Sequence, residues 1–344
     1  MRVADFDFEL PADRIAQRPL PRGTSRLLIV DAPPGERHRS IADLPEILRP
    51  GDLLVVNDTR VIPARLFATR PPGGARVELL LVERHDGLEW DCLVKPGKRA
   101  RPGTRLELAN GIALEVLARR DDGRHRLRFS EPIEPHLEQL GHVPLPPYVT
   151  RADDAEDRER YQTVWARSPG AIAAPTAGLH FSAELLDRLR ARGVERVAVT
   201  LHVGIGTFKP VTAELVHEHR MERERYRVDE AAAAALARAR AEGRRIVAVG
   251  TTVVRTLESA VTPSGEIPAG DGTTSLFITP GFRFRVVDVL LTNFHLPRST
   301  LLLLVSAFAG VERVLDAYRE AIATGYRFYS YGDAMLLKRH APES

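Results

Sequence analysis

The residues best suited to chemistry begin with Ala-Ala-Pro-Thr-Ala-Gly-Leu-His-Phe at positions 173–181. Pro175 and Gly178 interrupt any regular element, small residues let backbone approach a ligand, and Thr176 and His180 are the polar side chains of the run. A helix is predicted to follow, with Ser182 as N-cap, Leu185, Leu186 and Leu189 on one face, and Gly193 as its stop. A ligand at this loop would meet a helix N-terminus, whose free N–H groups suit a carboxylate or phosphate. The same stretch also fits a tight turn around a buried histidine.

Several apolar runs elsewhere end in small and polar residues, at 57–60, 202–207, 250–252 and 293–295. In open α/β sheets ligands bind beyond the carboxyl ends of the strands. Convergence of these ends would gather Asp58, Arg60, His202, Thr207, Thr251, Arg255, Glu258, Asn293 and His295 into one crevice with acid–base and anion-binding groups. Asn57-Asp58 could equally form a local Asx turn. Gly204-x-Gly206 lacks the third glycine of a dinucleotide fingerprint, and Gly250-Thr251-Thr252 lacks the lysine of a P-loop. There is no Gly-x-Ser-x-Gly elbow and no His-Glu-x-x-His, and His217 and His219 sit two apart, where helical side chains diverge, so no metal site is expected.

The elements that must position these groups fall into two textures. Strands are predicted at 26–31 and 52–57, with short helices at 11–14 and 43–48. From 64 to 149, short alternating runs at 64–69, 75–83, 88–95, 104–108, 112–119 and 125–129 are separated by Pro-Gly, Asp-Gly and Asn-Gly turns, which reads as a small six-stranded β-barrel or sandwich. Its loop at 95–105 carries Lys95, Lys98, Arg99, Arg101 and Arg105 with no acid: a solvated turn, or a surface presented to RNA. A short helix at 134–140 and Pro144-Leu-Pro-Pro-Tyr148, a rigid exit, end this region. Beyond it helix and strand alternate: strands at 196–203, 245–249, 277–279 and 286–292, helices at 153–160, 230–242 and 311–323, and one carrying Arg255 and Glu258. The fold expected is an α/β main domain of 1–63 and 150–344 with a mixed, partly parallel sheet, plus an inserted all-β barrel domain of 64–149.

Composition is that of an ordinary globular chain, 44% hydrophobic and 28% charged over 344 residues, with a net charge of only +3, so bulk charge implies no nucleic acid by itself. Cys92 is the lone cysteine, which excludes an intrachain disulfide and fits a reducing compartment. Residues 1–10 lack a basic segment followed by a long apolar core, and the apolar run at 301–305 is far too short to span a bilayer, so neither secretion nor membrane insertion is expected.

Long motifs carry a resemblance beyond these readings. Gly-Asp-Leu-Leu-Val-Val-Asn-Asp-Thr-Arg-Val-Ile-Pro-Ala-Arg-Leu at 51–66, Pro-Leu-Pro-Pro-Tyr at 144–148, Tyr-Gln-Thr-Val at 161–164, the 173–181 loop, Thr-Leu-His-Val-Gly-Ile-Gly-Thr-Phe at 200–208, Val-Gly-Thr-Thr at 249–252, Thr-Asn-Phe-His-Leu-Pro at 292–297 and Tyr-Arg-Phe-Tyr-Ser-Tyr-Gly-Asp at 326–333 closely resemble the S-adenosylmethionine:tRNA ribosyltransferase-isomerases of queuosine synthesis. Two positions depart: Trp165 takes a usual tyrosine position, and Glu222 stands where a second histidine is expected after His219.

The resemblance implies transfer of the ribosyl part of S-adenosylmethionine, a consumed co-substrate rather than a true cofactor, to a 7-aminomethyl-7-deazaguanine at the tRNA wobble position, releasing adenine and methionine. It also implies the barrel inserted in an α/β body; the expected protein is a cytoplasmic monomer without membrane partners. The chemistry needs a base for the ribose 5′ carbon, acidified by the sulfonium, and a proton donor for departing adenine. His180, His202 and His295 are candidates for both, in no assigned order, with Asp58 and Glu258 as alternative bases or sulfonium partners. Arg60, Arg255, Thr176, Thr207, Thr251, Thr252 and Asn293, with the close approach allowed by Gly178, Gly204 and Gly206, are candidate substrate contacts; Lys95, Lys98, Arg99 and Arg101 are candidate tRNA contacts. Two alternatives remain at this level: a non-catalytic RNA-binding protein using the basic loop, and a metal-independent hydrolase or lyase acting on a free nucleoside.

Overall fold

The computed structural model describes residues 1–340 apart from 205, 207–210 and 212. Strands β1 (Arg26–Ile29), β2 (His38–Ser40) and β3 (Leu53–Asn57) enter a large sheet, and β4 (Thr59–Val61) leaves it. The next six, β5 (Arg65–Thr69), β6 (Arg76–Arg84), β7 (Glu89–Lys95), β8 (Arg105–Leu108), β9 (Ala113–Arg119) and β10 (His125–Phe129), close into an antiparallel barrel. After β11 (Ser168–Ala171), which pairs with β4, the chain returns to the large sheet as β12 (Glu195–Leu201), β13 (Glu224–Val228), β14 (Ile246–Val249), β15 (Gly270–Thr274), β16 (Val289–Asn293) and β17 (Ala334–Lys338).

The nine-stranded sheet runs β15-β13-β12-β3-β14-β16-β17-β1-β2. Its centre is parallel: β3 lies between β12 and β14, and β14 pairs with β16, with Val55 opposite Val197 and Ala248, and Ala248 opposite Leu290. These strands are apolar throughout because both faces are covered. Leu53, Val55, Ile246, Ala248 and Leu290 point into one core, and Leu54, Val56, Val247, Val249 and Leu291 into the other. Of the helices, α1 (Leu44–Ile47) and α4 (Ala183–Ala191) supply Leu44, Leu185 and Leu189 to the second core. The short α2 (Leu137–Leu140) and α3 (Ala155–Arg160) flank the barrel connection. Helices α5 (Glu230–Ala241), α6 (Thr251–Ala260), α7 (Thr300–Ala309) and α8 (Val311–Ala323) pack on the first. Caps fall where predicted: Ser182 accepts from the Leu185 N–H at 3.2 Å, and Asp229 from the Ala232 N–H at 2.8 Å.

Two expectations about elements need correction. Residues 277–279 are not a strand; Phe277 packs edge-on against His219 with centroids 5.2 Å apart, and Ile278 is buried in the first core. The strand expected at 286–292 begins at Val289, because the Val286 and Val287 N–H groups are taken by the Glu258 carboxylate. The apolar run at 301–305 is the middle of α7, capped by Ser299 and buried between sheet and α8. Among the described residues no helix is long and apolar enough to cross a membrane.

Candidate functional site

Parallel order puts the carboxyl ends of β12, β3, β14 and β16 side by side, and the pocket opens there. It encloses about 670 Å³ outside protein atoms, solvent at its mouth included. One wall is the 173–177 run, a second is Gly250, Thr251 and Thr252 at the start of α6, and a third is the stretch from Thr292 to Leu296 after β16. Gly250 makes the strand-to-helix turn at φ 93°, a conformation glycine adopts without strain, and among the described residues no side chain caps the helix that follows. The first N–H groups of α6 therefore border the pocket uncapped.

Of the candidate residues, His295, Thr176, Thr251, Thr252 and Asn293 line this pocket. His295 is buried, its Nε2 lies 3.0 Å from Thr292 Oγ1, and its backbone N–H donates to the Tyr318 hydroxyl at 2.8 Å. Burial pushes its pKa down to about 3, so the ring is neutral at pH 7. His180 lies behind the wall, with Nδ1 2.9 Å from Ser25 Oγ; burial brings it to about 4, Asn293 opposes that shift and Arg22 adds to it. His202 is half-buried at the end of β12, its Nδ1 2.8 Å from Thr59 Oγ1, and its pKa is lowered by burial and then by Arg225, against Asp58.

The remaining candidates are directed elsewhere. Asp58 accepts from Thr200 Oγ1 at 2.6 Å and pairs with Arg167. Glu258 accepts the N–H groups of Arg285, Val286 and Val287 at 2.9–3.1 Å, fixing the entry to β16. Arg255 forms a buried ion pair with Glu224, whose Oε1 also accepts the Gly204 N–H at 2.9 Å. Gly178 meets protein: a Cβ there would lie 2.6 Å from Thr163 Cγ2 and 2.8 Å from Trp165 Cζ2. Gly206 lies against Glu222, Arg60 is exposed on β4, and Thr207 lies outside the described residues. Lys95, Lys98, Arg99 and Arg101 are exposed around the turn joining β7 to β8. The departures are absorbed locally: Trp165 Nε1 donates to the Asn57 carbonyl at 2.9 Å, and Glu222 pairs with Arg124 of the β9–β10 hairpin at 2.8 Å.

Residue reasoning did not single out Tyr148, Tyr329 and Ser330 as site residues, yet all three line the pocket. The rings of Tyr148 and Tyr329 stack with centroids 4.5 Å apart, and the Tyr148 hydroxyl lies 2.6 Å from Ser330 Oγ. Tyr329 sits at φ 70°, a conformation that costs a side-chain-bearing residue about 1–3 kcal/mol. The available signal was the density of tyrosines in 326–331, next to small polar residues. A group of potential metal ligands, Glu83, His85 and Asp91, lies on the barrel; Asp91 is already engaged by Arg120 and Arg126, each at 2.7 Å, and by His85 at 2.9 Å.

A family model described as "Queuosine biosynthesis protein" matches residues 3–337. The chain belongs to that family. It is 56% identical to the S-adenosylmethionine:tRNA ribosyltransferase-isomerase of Anaeromyxobacter sp. (strain Fw109-5), over 98% of this chain and 99% of that one. Against the protein of the same name from Gloeobacter violaceus it is 55% identical, covering 96% and 94% of the two chains. A solved relative, the S-adenosylmethionine tRNA ribosyltransferase of Thermotoga maritima, is similar at 41% identity and a TM-score of 0.53, covering 96% of this chain and 99% of that one. Both the mixed sheet and the barrel thus belong to a fold already seen in this family.

Proposed function

We propose that this protein transfers and isomerises the ribosyl moiety of S-adenosylmethionine onto 7-aminomethyl-7-deazaguanine in tRNA, giving epoxyqueuosine-tRNA with release of adenine and methionine. The observation that supports this most is identity above half over nearly the whole chain with enzymes bearing that name. The acceptor base stands at the wobble position, S-adenosylmethionine is consumed as co-substrate with no true cofactor, and the enzyme acts as a cytoplasmic monomer. The division proposed is a body of 1–63 and 150–344 carrying the pocket and a barrel of 64–149 facing tRNA.

In this reading the pocket beyond β3, β14 and β16 holds S-adenosylmethionine. His295 is the proton acceptor for the ribose 5′ carbon: its Nε2 lies 3.0 Å from Thr292 Oγ1, and in the tautomer whose Nε2–H donates there, Nδ1 presents its lone pair. His180, whose Nδ1 faces Ser25 Oγ, is a positioning residue behind the 173–177 wall, and Asp58 and Glu258 hold backbone and neighbouring elements rather than touching substrate. The uncapped N–H groups of α6, with Thr251 and Thr252, suit the methionine carboxylate, a task Arg255 is prevented from sharing by its pair with Glu224.

Adenine release by the purified protein tests this reading. Release is expected with tRNA carrying the deazaguanine precursor, together with a mass gain on that nucleoside, and none with unmodified tRNA. Tight tRNA binding without adenine release would favour the non-catalytic RNA-binding alternative. The basic turn has its own test. Replacing Lys98, Arg99 and Arg101 by Ala is expected to weaken tRNA binding and to reduce the slope of log affinity against log salt by roughly 2–3, with S-adenosylmethionine binding unchanged. An unchanged slope would remove this turn from the tRNA contact.

A further inference from the structure

We propose that Tyr329, backed by Tyr148, is the stacking surface for the purine of the adenosyl group; this rests on the reading that the pocket binds S-adenosylmethionine. Both residues line the pocket, and each uses one ring face in a near-parallel stack at 4.5 Å and 28°. A further planar ring can extend such a pair, since every nucleobase has a π face. The neighbouring walls at Ala173, Ala177, Val203 and Leu296 are apolar, which suits a flat heteroaromatic and not a charged group.

The backbone gives the second, independent observation. Glycine would adopt φ 70° without strain, whereas here a tyrosine is held in it. The turn is fixed from three sides: Asn293 Nδ2 donates to the Tyr329 carbonyl at 2.9 Å, the Gly332 N–H donates to the same carbonyl at 2.9 Å, and the Tyr329 N–H donates to the Phe294 carbonyl at 3.1 Å. Asn293 and Phe294 are themselves pocket residues after β16, so the wall that carries His295 also sets where the Tyr329 ring lies. Strain retained at a pocket and over-determined by its surroundings is the pattern of a pre-organised binding group.

Calorimetric titration of the full-length protein with S-adenosylhomocysteine and 5′-methylthioadenosine, and competition by methionine as the base-free control, separates the possibilities. Tyr329→Gly keeps the turn and removes the ring; it is expected to weaken both adenine-bearing probes roughly 10- to 100-fold while the methionine inhibition constant stays unchanged. Tyr329→Phe is expected to bind all three like the parent. Tyr329→Leu keeps bulk without a π face and is expected to lose affinity as the glycine variant does, which preserves the test if the glycine variant does not fold. Parent-like binding of S-adenosylhomocysteine by both the Gly and Leu variants overturns the proposal, as does an equal loss for methionine, which would mean a collapsed pocket. A parent protein that binds neither adenine-bearing probe overturns the S-adenosylmethionine reading itself, a result visible before any variant is made.

Discussion

Replacing His295 by Ala is expected to slow single-turnover adenine release by about 100-fold or more, the scale of a lost acid–base group, while S-adenosylmethionine affinity changes only several-fold. Among His180, His202 and His295, His295 is the one that lines the pocket. Its environment also fixes the pH behaviour. Burial has lowered its pKa to about 3, so the proton-free ring is the dominant form at every pH above that value. The ratio of parent to variant rates should therefore stay constant from about pH 5 to about pH 8, whereas an ordinary histidine would make it titrate near 6.5. A loss smaller than threefold, or a ratio that bends near 6.5, would contradict the assignment.

The second large effect concerns stability. Arg255 and Glu224 are 2% and 7% exposed, and each supports a different segment: Arg255 Nε donates to the Leu276 carbonyl at 3.1 Å, and Glu224 receives the Gly204 N–H. Arg255→Leu leaves a buried carboxylate without its counter-charge, for which the expected cost is about 3–5 kcal/mol. For a chain of this length that corresponds to a fall in Tm of roughly 5 °C, read by calorimetry or in the urea midpoint. Replacing both residues by Leu should recover much of the loss, since two apolar groups carry no unpaired charge. If the single and double variants are equally destabilised, the pair is not what holds this corner. Because Gly204 follows β12 directly beside the pocket residue Val203, substrate affinity should fall in the single variant as well.

The parallel centre of the sheet was legible because apolar runs ending at Asn57, Val249 and Asn293 have one plausible use, as strands covered on both faces. The barrel was legible from its turns. What sequence did not disclose lies where pairing or direction decides. Gly270–Thr274 is Gly-Asp-Gly-Thr-Thr, which reads as a turn and becomes a strand through its register with β13. The helix α7 has no polar face to reveal a period, because sheet and α8 enclose it. At the site, chain position placed Arg255 and Glu258 near the right strand ends, but a charged side chain turns toward whichever partner tertiary structure supplies: Glu224 for one, three N–H groups for the other. Tyr329 shows the converse, since a positive φ at tyrosine has no signature in sequence.

Closure of the barrel limits the means by which it can recognise anything. With β9 paired to β10, the ring of six strands has no free edge, so its backbone cannot lend a strand to a partner or template a foreign one. Contact must come from turns and outward side chains, which suits a ligand read by charge and shape. In the body, the outermost strands are β15, with two glycines, and the three-residue β2. Short or glycine-bearing rims make poor templates for edge-to-edge pairing with a second sheet.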